Sequence, residues 1–228
     1  MRDRLTARFV SILLLAILSL AVYESGKRGL ADAIAYGPRH AIERLHSESL
    51  LSDEIALNVL QTQFLKAHYT DPDNPSLLED MGLFYAHREK SGQSLDPLRQ
   101  AALLGSLKLL RRALVLRPQL DRGYLNIAVL KFRLGEIDQE FVMSLQRALD
   151  RAPWEPAVVL QVVELSLANW EHLSPELREK IRQTIRVHAQ WHRVDQKSRL
   201  VELIAWYGRA DLECLLDVVP TACQSSGR

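Results

Sequence analysis

An alanine followed five residues later by a proline recurs three times along this chain of 228 residues. The alanines are Ala67, Ala113 and Ala148, and the corresponding prolines are Pro72, Pro118 and Pro153. A large apolar residue lies three positions before each alanine, namely Phe64, Leu110 or Leu145. Ten positions after each proline lies Gly82, Ala128 or Val163. Successive prolines are 46 and then 35 residues apart, which predicts one structural unit repeated at irregular intervals.

The recurring residue types predict pairs of antiparallel helices. A small side chain lets two helices approach closely, and an apolar residue one turn earlier fills the core on the same face. Proline cannot continue a helix, so the chain turns after it and the next pair begins. Because no alternating strand pattern of any length is present, we expect an all-α fold.

Helix boundaries can be placed from caps and prolines. Asp96-Pro97 and Ser174-Pro175 each have the form of an N-cap followed by proline at the first helical position. We predict helices over residues 41–49, 53–69, 76–90, 97–117, 120–134, 138–151, 156–170, 175–192 and 197–208, with a short helix near 211–217.

The N-terminal segment is distinct from the rest of the chain. Residues 9–23 carry no charge and follow three arginines, Arg2, Arg4 and Arg8. This run of 15 residues is shorter than the roughly 20 residues that span a bilayer core, so it is either a short anchor or a signal peptide. We favour an uncleaved anchor, because Tyr23 and Glu24 fit poorly beyond a cleavage site. Residues 1–24 are therefore interpreted as a single transmembrane helix and residues 25–228 as one helical domain.

Charge and cysteine content indicate the cellular location of the domain and the partners that it can bind. The arginines before the apolar run predict a cytoplasmic N-terminus and a domain outside the cytoplasm. With 29 basic and 28 acidic residues, the chain has no charge excess that would attract nucleic acid, so no nucleic-acid partner is expected. Cys214 and Cys223 could form a disulfide in an oxidising compartment, and two unlinked thiols are the alternative.

The repeat resembles the tetratricopeptide repeat (TPR) over about residues 50–195, and Gly82 with Tyr85 reproduces the Gly-x-x-Tyr step of that family. The chain departs from the family at Tyr124, Lys131 and Val163. The resemblance implies a solenoid of helical hairpins that binds a partner in its groove. By the geometry of the family the groove residues are Tyr85, Arg122, Asn126, Lys131, Arg133 and Val159.

A second resemblance concerns the third unit. The sequence APWEPAVVLQVVELSLANW at 152–170, followed by SPELREKI, is similar to TPR modules of bacterial cell-surface polysaccharide systems, especially the membrane-anchored VpsP-type polysaccharide biosynthesis proteins. It implies a bacterial inner-membrane protein with most of its chain in the periplasm. Its partners would be membrane proteins of a polysaccharide assembly or export system.

Catalytic and metal motifs are weak or absent in the sequence. His188 and His192 have the spacing of two zinc ligands, but Ala189 stands where a zincin needs its catalytic glutamate. No phosphate-binding glycine loop and no nucleophile elbow are present. The acid pairs Glu43 with Glu48 and Glu176 with Glu179 have the pattern of helix surface charges. We therefore expect no enzyme activity, no metal and no cofactor.

Aromatic residues leave one further alternative. Trp154, Trp170, Trp191 and Trp206 could stack on sugar rings or close the seams between repeats, and we favour the seams. Trp154, between two prolines, is the best candidate of the four for carbohydrate contact.

The leading hypothesis is a non-catalytic scaffold for exopolysaccharide assembly or export. A general envelope assembly factor for pili, secretion or cytochrome maturation is the alternative, and a glycan-modifying enzyme is the most distant one.

Overall fold

The fold is all helical throughout the residues that the computed structural model describes, which are 2–44, 54–88, 97–120, 122–190, 194–213 and 215. No strand occurs within these ranges. The helices are α1 Arg2–Arg44, α2 Glu54–Thr70, α3 Pro75–Arg88, α4 Pro97–Leu116, α5 Gly123–Leu134, α6 Gln139–Arg151, α7 Pro156–Ala168, α8 Pro175–Ala189, α9 Val194–Trp206 and α10 Ala210–Glu213, with a 3₁₀ turn at Trp170–His172 between α7 and α8. The predicted all-α class is confirmed.

Helix α1 is longer than the sequence predicts. It continues through residue 24 without a break and ends at Arg44, so residues 41–44 are its last turn and not the start of a separate helix. Residues 45–49 of that predicted helix lie outside the described residues. Its apolar part has a mean hydropathy of 2.0 over 18 residues, none of them buried, so α1 is long and apolar enough to cross a membrane.

The chain divides into two compact units, Met1–Leu116 and Arg117–Arg228. In the first unit, α1 pairs with α2 and α3 pairs with α4. Each pair is antiparallel: Lys27 near the middle of α1 lies beside Asp71 after the end of α2, and Arg112 near the end of α4 pairs with Asp73 before the start of α3. The core of this unit centres on Phe64 and Phe84, whose ring centroids are 5.4 Å apart.

The second unit contains the pair α5 and α6, followed by α7, α8 and α9. Its core is formed mainly by α6, α7 and α8, with Val162, Val163, Ile181 and Ile185 fully buried. Helix α5 begins at Gly123 rather than at residue 120, because residues 117–120 form a turn in which the Leu120 N–H donates to the Arg117 carbonyl. The sequence missed this turn.

The small residues of the repeat lie where helices meet. Ala67, Ala113, Ala128 and Ala148 are all 0% exposed. A Cβ on Gly82 would lie only 3.1 Å from Leu110 Cγ, so α3 and α4 touch at the glycine. Pro72, Pro118 and Pro153 lie in the turns after α2, α4 and α6. Each of these prolines therefore follows the second helix of an antiparallel pair, as the sequence predicts.

Candidate functional site

The six residues predicted to line a partner groove are divided between the two units and differ in exposure. Tyr85 belongs to the first unit, where it is half-buried and its ring centroid lies 5.5 Å from that of Phe84. The other five residues belong to the second unit. Val159 is 1% exposed inside the core, so it offers no surface to a partner. The placement of Val159 in a groove is corrected accordingly: Val159 lies on the broad buried side of α7, and the exposed stripe of that helix carries Gln161 and Glu164 instead.

Lys131 is also withdrawn from solvent. Its side chain is 2% exposed, and its Nζ lies 2.7 Å from Glu136 Oε2, 2.8 Å from Asp138 Oδ2 and 3.1 Å from Glu140 Oε2. Burial by itself would lower the pKa of Lys131, but hydrogen bonds to the three carboxylates outweigh it and hold the pKa above its ordinary value. The ammonium group holds the α5–α6 turn together, so Lys131 does not face a partner.

Arg122, Asn126 and Arg133 are the remaining predicted groove residues. Arg122 is exposed and forms an ion pair with Glu155, just before α7. The Asn126 N–H donates to the Arg122 carbonyl, and the side chains of Asn126 and Arg133 are half-buried. Of the predicted set, Arg122 alone is exposed.

The second unit has a polar cavity of about 800 Å³, which we call the arginine–aromatic groove. It is lined by Gln119, Tyr124, Arg147, Asp150, Arg151 and Trp154. These residues come from the turn before α5, from α5, from the last turns of α6 and from the α6–α7 turn. The antiparallel pairing of α5 with α6 brings Tyr124, near the start of α5, beside the end of α6.

Two arginines are stacked on one tyrosine in this groove. Arg147 and Arg151 lie one turn apart on α6, which places them on the same helix face. Their guanidinium carbons are 5.2 Å and 5.6 Å from the centroid of the Tyr124 ring, within the range of cation–π contacts. Arg147 Nη1 also lies 3.4 Å from the Tyr124 hydroxyl oxygen. The tyrosine therefore orders both cationic side chains.

The charge of the groove is positive. Neither Arg147 nor Arg151 forms an ion pair with a carboxylate of the residues described. Asp150, which lies between them in the sequence, instead pairs with Lys180 on α8. The carboxylate nearest to the two guanidinium groups along the chain is thus already engaged elsewhere. Both guanidinium groups keep hydrogen-bond donors available to a ligand.

Trp154 borders the groove and is 74% exposed. The side chain of His188 contacts the turn that carries Trp154: its Nε2 lies 2.9 Å from the Pro153 carbonyl oxygen. The other ring nitrogen, Nδ1, lies 2.7 Å from the Thr184 carbonyl oxygen. Burial lowers the pKa of His188, while the two carbonyl oxygens act in the opposite direction. With both ring nitrogens already against backbone oxygens, His188 has a structural role in holding the Trp154 turn.

The groove is suited to binding rather than to bond-breaking chemistry. Its cations are guanidinium groups, which stay protonated and cannot act as general bases at neutral pH. Within the described ranges, no group of three or more His, Cys, Asp or Glu residues is placed to hold a metal ion. The His188 and His192 hypothesis cannot be followed further, because His192 lies outside these ranges. The same is true of the Cys214–Cys223 disulfide.

A second, more apolar cavity of about 490 Å³ lies between α7 and α9. Leu160, Leu203 and the exposed Trp206 form its apolar part. Glu164, Arg199 and Glu202 supply charges of both signs. With two carboxylates and one guanidinium group, this cavity does not share the positive charge of the arginine–aromatic groove.

Sequence reasoning identified Trp154 but missed the arginines beside it. The available signal was the pair Arg147 and Arg151 at a spacing of four residues, in a helix predicted to pack against the one that carries Tyr124. Gln119 was not identifiable, because its position depends on the turn that precedes α5.

In the part of the chain that the structure describes, the protein is all helical, with an N-terminal helix able to cross a membrane and a cationic, aromatic groove in the second unit. No protein-family model matches the chain, and no curated protein or solved structure matches it significantly.

Proposed function

We propose that the chain is a non-catalytic, membrane-anchored scaffold whose arginine–aromatic groove binds an acidic segment of a partner protein. The observation that carries this proposal is the pair Arg147 and Arg151, stacked on Tyr124 and without a carboxylate partner in the part of the chain described. Two ordered cations beside an open cavity are an arrangement that recognises anions.

The stacking geometry supports the choice of a carboxylate ligand. A guanidinium group that lies over an aromatic face keeps its N–H edges free, and these edges match a carboxylate with two parallel hydrogen bonds. Side chains one helical turn apart are separated by about 5–6 Å at their Cβ atoms, and alternate residues of an extended chain are about 7 Å apart. Arg147 and Arg151 therefore suit two acidic side chains that point to the same side of an extended segment.

The wider setting is part of the same proposal. The helical hairpins belong to a TPR-like solenoid, α1 crosses the bacterial inner membrane once, and most of the chain lies in the periplasm. The partners are membrane proteins of an exopolysaccharide assembly or export system. The close helix contacts at Ala67, Ala113 and Ala148, the apolar helix α1 and the resemblance of residues 152–170 support this setting. A general envelope assembly factor for pili, secretion or cytochrome maturation would use the same anchor and groove.

A second candidate ligand is an acidic polysaccharide. Trp154 presents most of its indole ring to solvent beside the two arginines. A sugar ring can stack on such a face while its carboxylate pairs with a guanidinium group. This candidate keeps the non-catalytic role and changes only the ligand.

The proposal can be tested on the full-length chain in nanodiscs of zwitterionic lipid, so that lipid charge does not compete. The probe is fluorescein-labelled decaglutamate, and binding is followed by fluorescence anisotropy. We expect the double variant Arg147→Ala with Arg151→Ala to bind at least roughly ten-fold more weakly, because both charge-assisted contacts are lost. The variant Arg147→Lys with Arg151→Lys should bind the probe with an affinity between those of wild type and the double Ala variant. It keeps both positive charges but loses the planar guanidinium groups that bind a carboxylate with two hydrogen bonds.

A matched control separates groove binding from bulk charge. Arg186→Ala with Lys108→Ala removes the same formal charge from two exposed positions outside the groove and should leave the affinity unchanged. Equal weakening in both double variants, or no binding by wild type, would overturn the acidic-segment proposal. Stronger binding of oligogalacturonate than of decaglutamate, lost on Trp154→Ala, would favour the polysaccharide instead.

The cellular role needs its own test. In a strain that lacks the chain, complementation with Arg147→Glu and Arg151→Glu should fail to restore exopolysaccharide output, whereas the Arg186 and Lys108 control should restore it. Normal output without the chain, together with a defect in pili, secretion or cytochromes, would favour the general assembly factor.

A further inference from the structure

We propose that one end of the first unit lies in the lipid headgroup layer of the bilayer that holds α1, so that the chain contacts the membrane at a second place besides its anchor. We call this end the membrane-facing end and define it by Tyr69, Arg112, Val115 and Leu116. The inference rests on the membrane anchoring included in the proposed function, and it concerns only the unit Met1–Leu116.

The first step is where α1 leaves the hydrocarbon. Residues 9–23 are uncharged and cover about 22 Å at 1.5 Å per residue, which fits within a hydrocarbon core of about 30 Å. Charged side chains begin at Glu24 and continue with Lys27, which form an ion pair of 2.9 Å with each other. Residues 24–28 therefore lie at the headgroup layer, where charged and polar groups are hydrated.

The second step places the α2–α3 turn at the same height. Lys27 Nζ lies 4.0 Å from Asp71 Oδ1, and Asn74 Nδ2 donates to Asp32 Oδ1 at 3.4 Å. The turn 71–74 therefore lies beside residues 27–32 of α1. Because α2 runs antiparallel to α1, its C-terminal end is the end nearer the membrane.

The third step adds the end of α4. Arg112 pairs with Asp73 in the α2–α3 turn, so the C-terminal part of α4 reaches the same level as that turn. Leu116 lies four residues further along α4, about 6 Å closer to the bilayer for a helix antiparallel to α3. Val115 and Leu116 are 78% and 43% exposed. The last turn of α4 thus presents an apolar pair at the level of the headgroups.

The chemistry of the membrane-facing end matches a membrane interface. Tyr69 at the end of α2 is 89% exposed, and aromatic side chains with a polar tip are enriched at the boundary between hydrocarbon and water. Val115 and Leu116 would gain stability by leaving water for the acyl boundary. Two contacts with the bilayer would fix the orientation of the first unit on the membrane.

The experiment uses the full-length chain in proteoliposomes of phosphatidylethanolamine and phosphatidylglycerol that contain an alkyne-tagged phosphatidylglycerol. The photo-crosslinking residue benzoylphenylalanine is placed at Val115 or Tyr69. The controls are the chemically matched exposed residues Val59 and Tyr36, which are 52% and 64% exposed. Tyr36 lies 13 residues beyond Tyr23 on α1, about 20 Å further from the hydrocarbon.

We expect tagged lipid to be captured at Val115 and Tyr69 at least about five-fold more than at Val59 and Tyr36, because the control positions lie beyond the headgroup layer. Equal capture at test and control positions would overturn the inference. A fifth position, Leu14 within the apolar run, tests the anchor separately. Capture at Leu14 but not at Val115 or Tyr69 would reject the membrane-facing end and leave the anchor standing. No capture at Leu14 would reject both.

Discussion

Two glycines of the first unit have opposite surroundings, although both lie inside helices that pack against each other. A Cβ on Gly82 of α3 would lie 3.1 Å from Leu110 Cγ and 3.3 Å from the Ser106 carbonyl oxygen. A Cβ on Gly105 of α4 would meet nothing within 4 Å. The absence of a side chain is therefore a packing requirement at Gly82 and only an entropic cost at Gly105.

We expect Gly82→Val to lower the free energy of unfolding by about 2 kcal/mol, because the added methyl groups force α3 away from Leu110. Gly105→Ala should raise it by about 0.5–1 kcal/mol, because alanine forms helices better than glycine and the site is open. Urea unfolding of detergent-solubilised protein, followed by circular dichroism, measures both changes. A stabilising Gly82→Val would mean that the α3–α4 contact is looser than the structure shows.

At the scale of elements, the α5–α6 hairpin is closed by a single buried ammonium group. Gly135 takes φ = 73°, in the left-handed region that favours glycine, and ends α5. This reversal brings Glu136, Asp138 and Glu140 around Lys131. Asp138 also caps α6 by accepting a hydrogen bond from the Phe141 N–H. The turn therefore depends on one cation that lies within hydrogen-bonding distance of three carboxylates.

Lys131→Met tests that dependence. The methionine fits the space but leaves three carboxylates close together without their cation, so we expect a loss of about 3 kcal/mol in the free energy of unfolding. Lys108→Met makes the same substitution at an exposed position of α4 and should change stability by less than about 0.5 kcal/mol. Thermal or urea unfolding compares the two. Similar effects of the two substitutions would contradict the role assigned to the buried ammonium.

The same turn should make the second unit sensitive to acid. Burial alone would raise the pKa of Asp138, but hydrogen bonds from Lys131 and from the Phe141 N–H outweigh it and hold the pKa below its ordinary value. A carboxylate with a lowered pKa in the folded state contributes stability above its unfolded pKa of about 3.9, and that contribution is lost as the pH falls through the folded value.

Urea midpoints measured from pH 7 to pH 2.5 should show this loss. We expect wild type to lose more stability than Asp138→Asn as the pH falls below about 4, since the variant has no carboxylate to protonate at that position. Above pH 6 the variant should be the less stable of the two, because its amide pairs poorly with Lys131. Parallel pH profiles for the two proteins would contradict the ion pair.

At this scale, the sequence predicts features that are set by residues within one helix better than contacts between residues of different elements. The hairpins follow from alanine, proline and apolar spacing within single helices, and those features were predictable. The cluster around Lys131 was not, because its acids meet the lysine only through the left-handed turn at Gly135. The contact of Arg147 with Tyr124 was predictable only in part: the pairing of their helices was expected, but the register that sets Tyr124 beside a residue 23 positions later was not. Val159 was misplaced because the buried side of α7 is broad and includes it, whereas the groove position was taken from the geometry of a repeat family.

At the scale of the whole molecule, one continuous helix carries both the apolar segment and the first hairpin. The exposed apolar side chains of α1 lie on all its faces between Phe9 and Tyr23, and after Glu24 the helix begins to pack against α2 and α3. Arg39 pairs with Asp32 on its own helix and with Asp80 on α3. Because no turn separates the two parts of α1, the apolar segment continues into the first hairpin as a helix and not through a flexible linker.

The anchor assignment yields the last prediction. Leu14→Arg with Ile17→Arg places two charges near the middle of the apolar segment, which costs about 5–7 kcal/mol on insertion scales. We expect this double variant to leave the membrane fraction after carbonate extraction, as followed by immunoblotting. The matched control is Leu30→Arg with Tyr36→Arg, two comparably exposed positions of the same helix beyond Glu24. The control should stay with the membrane, because its charges fall outside the hydrocarbon. Release of wild type from the membrane fraction would indicate a cleaved leader instead of an anchor. If both double variants stayed in the membrane fraction, something other than residues 9–23 would hold the chain to the membrane.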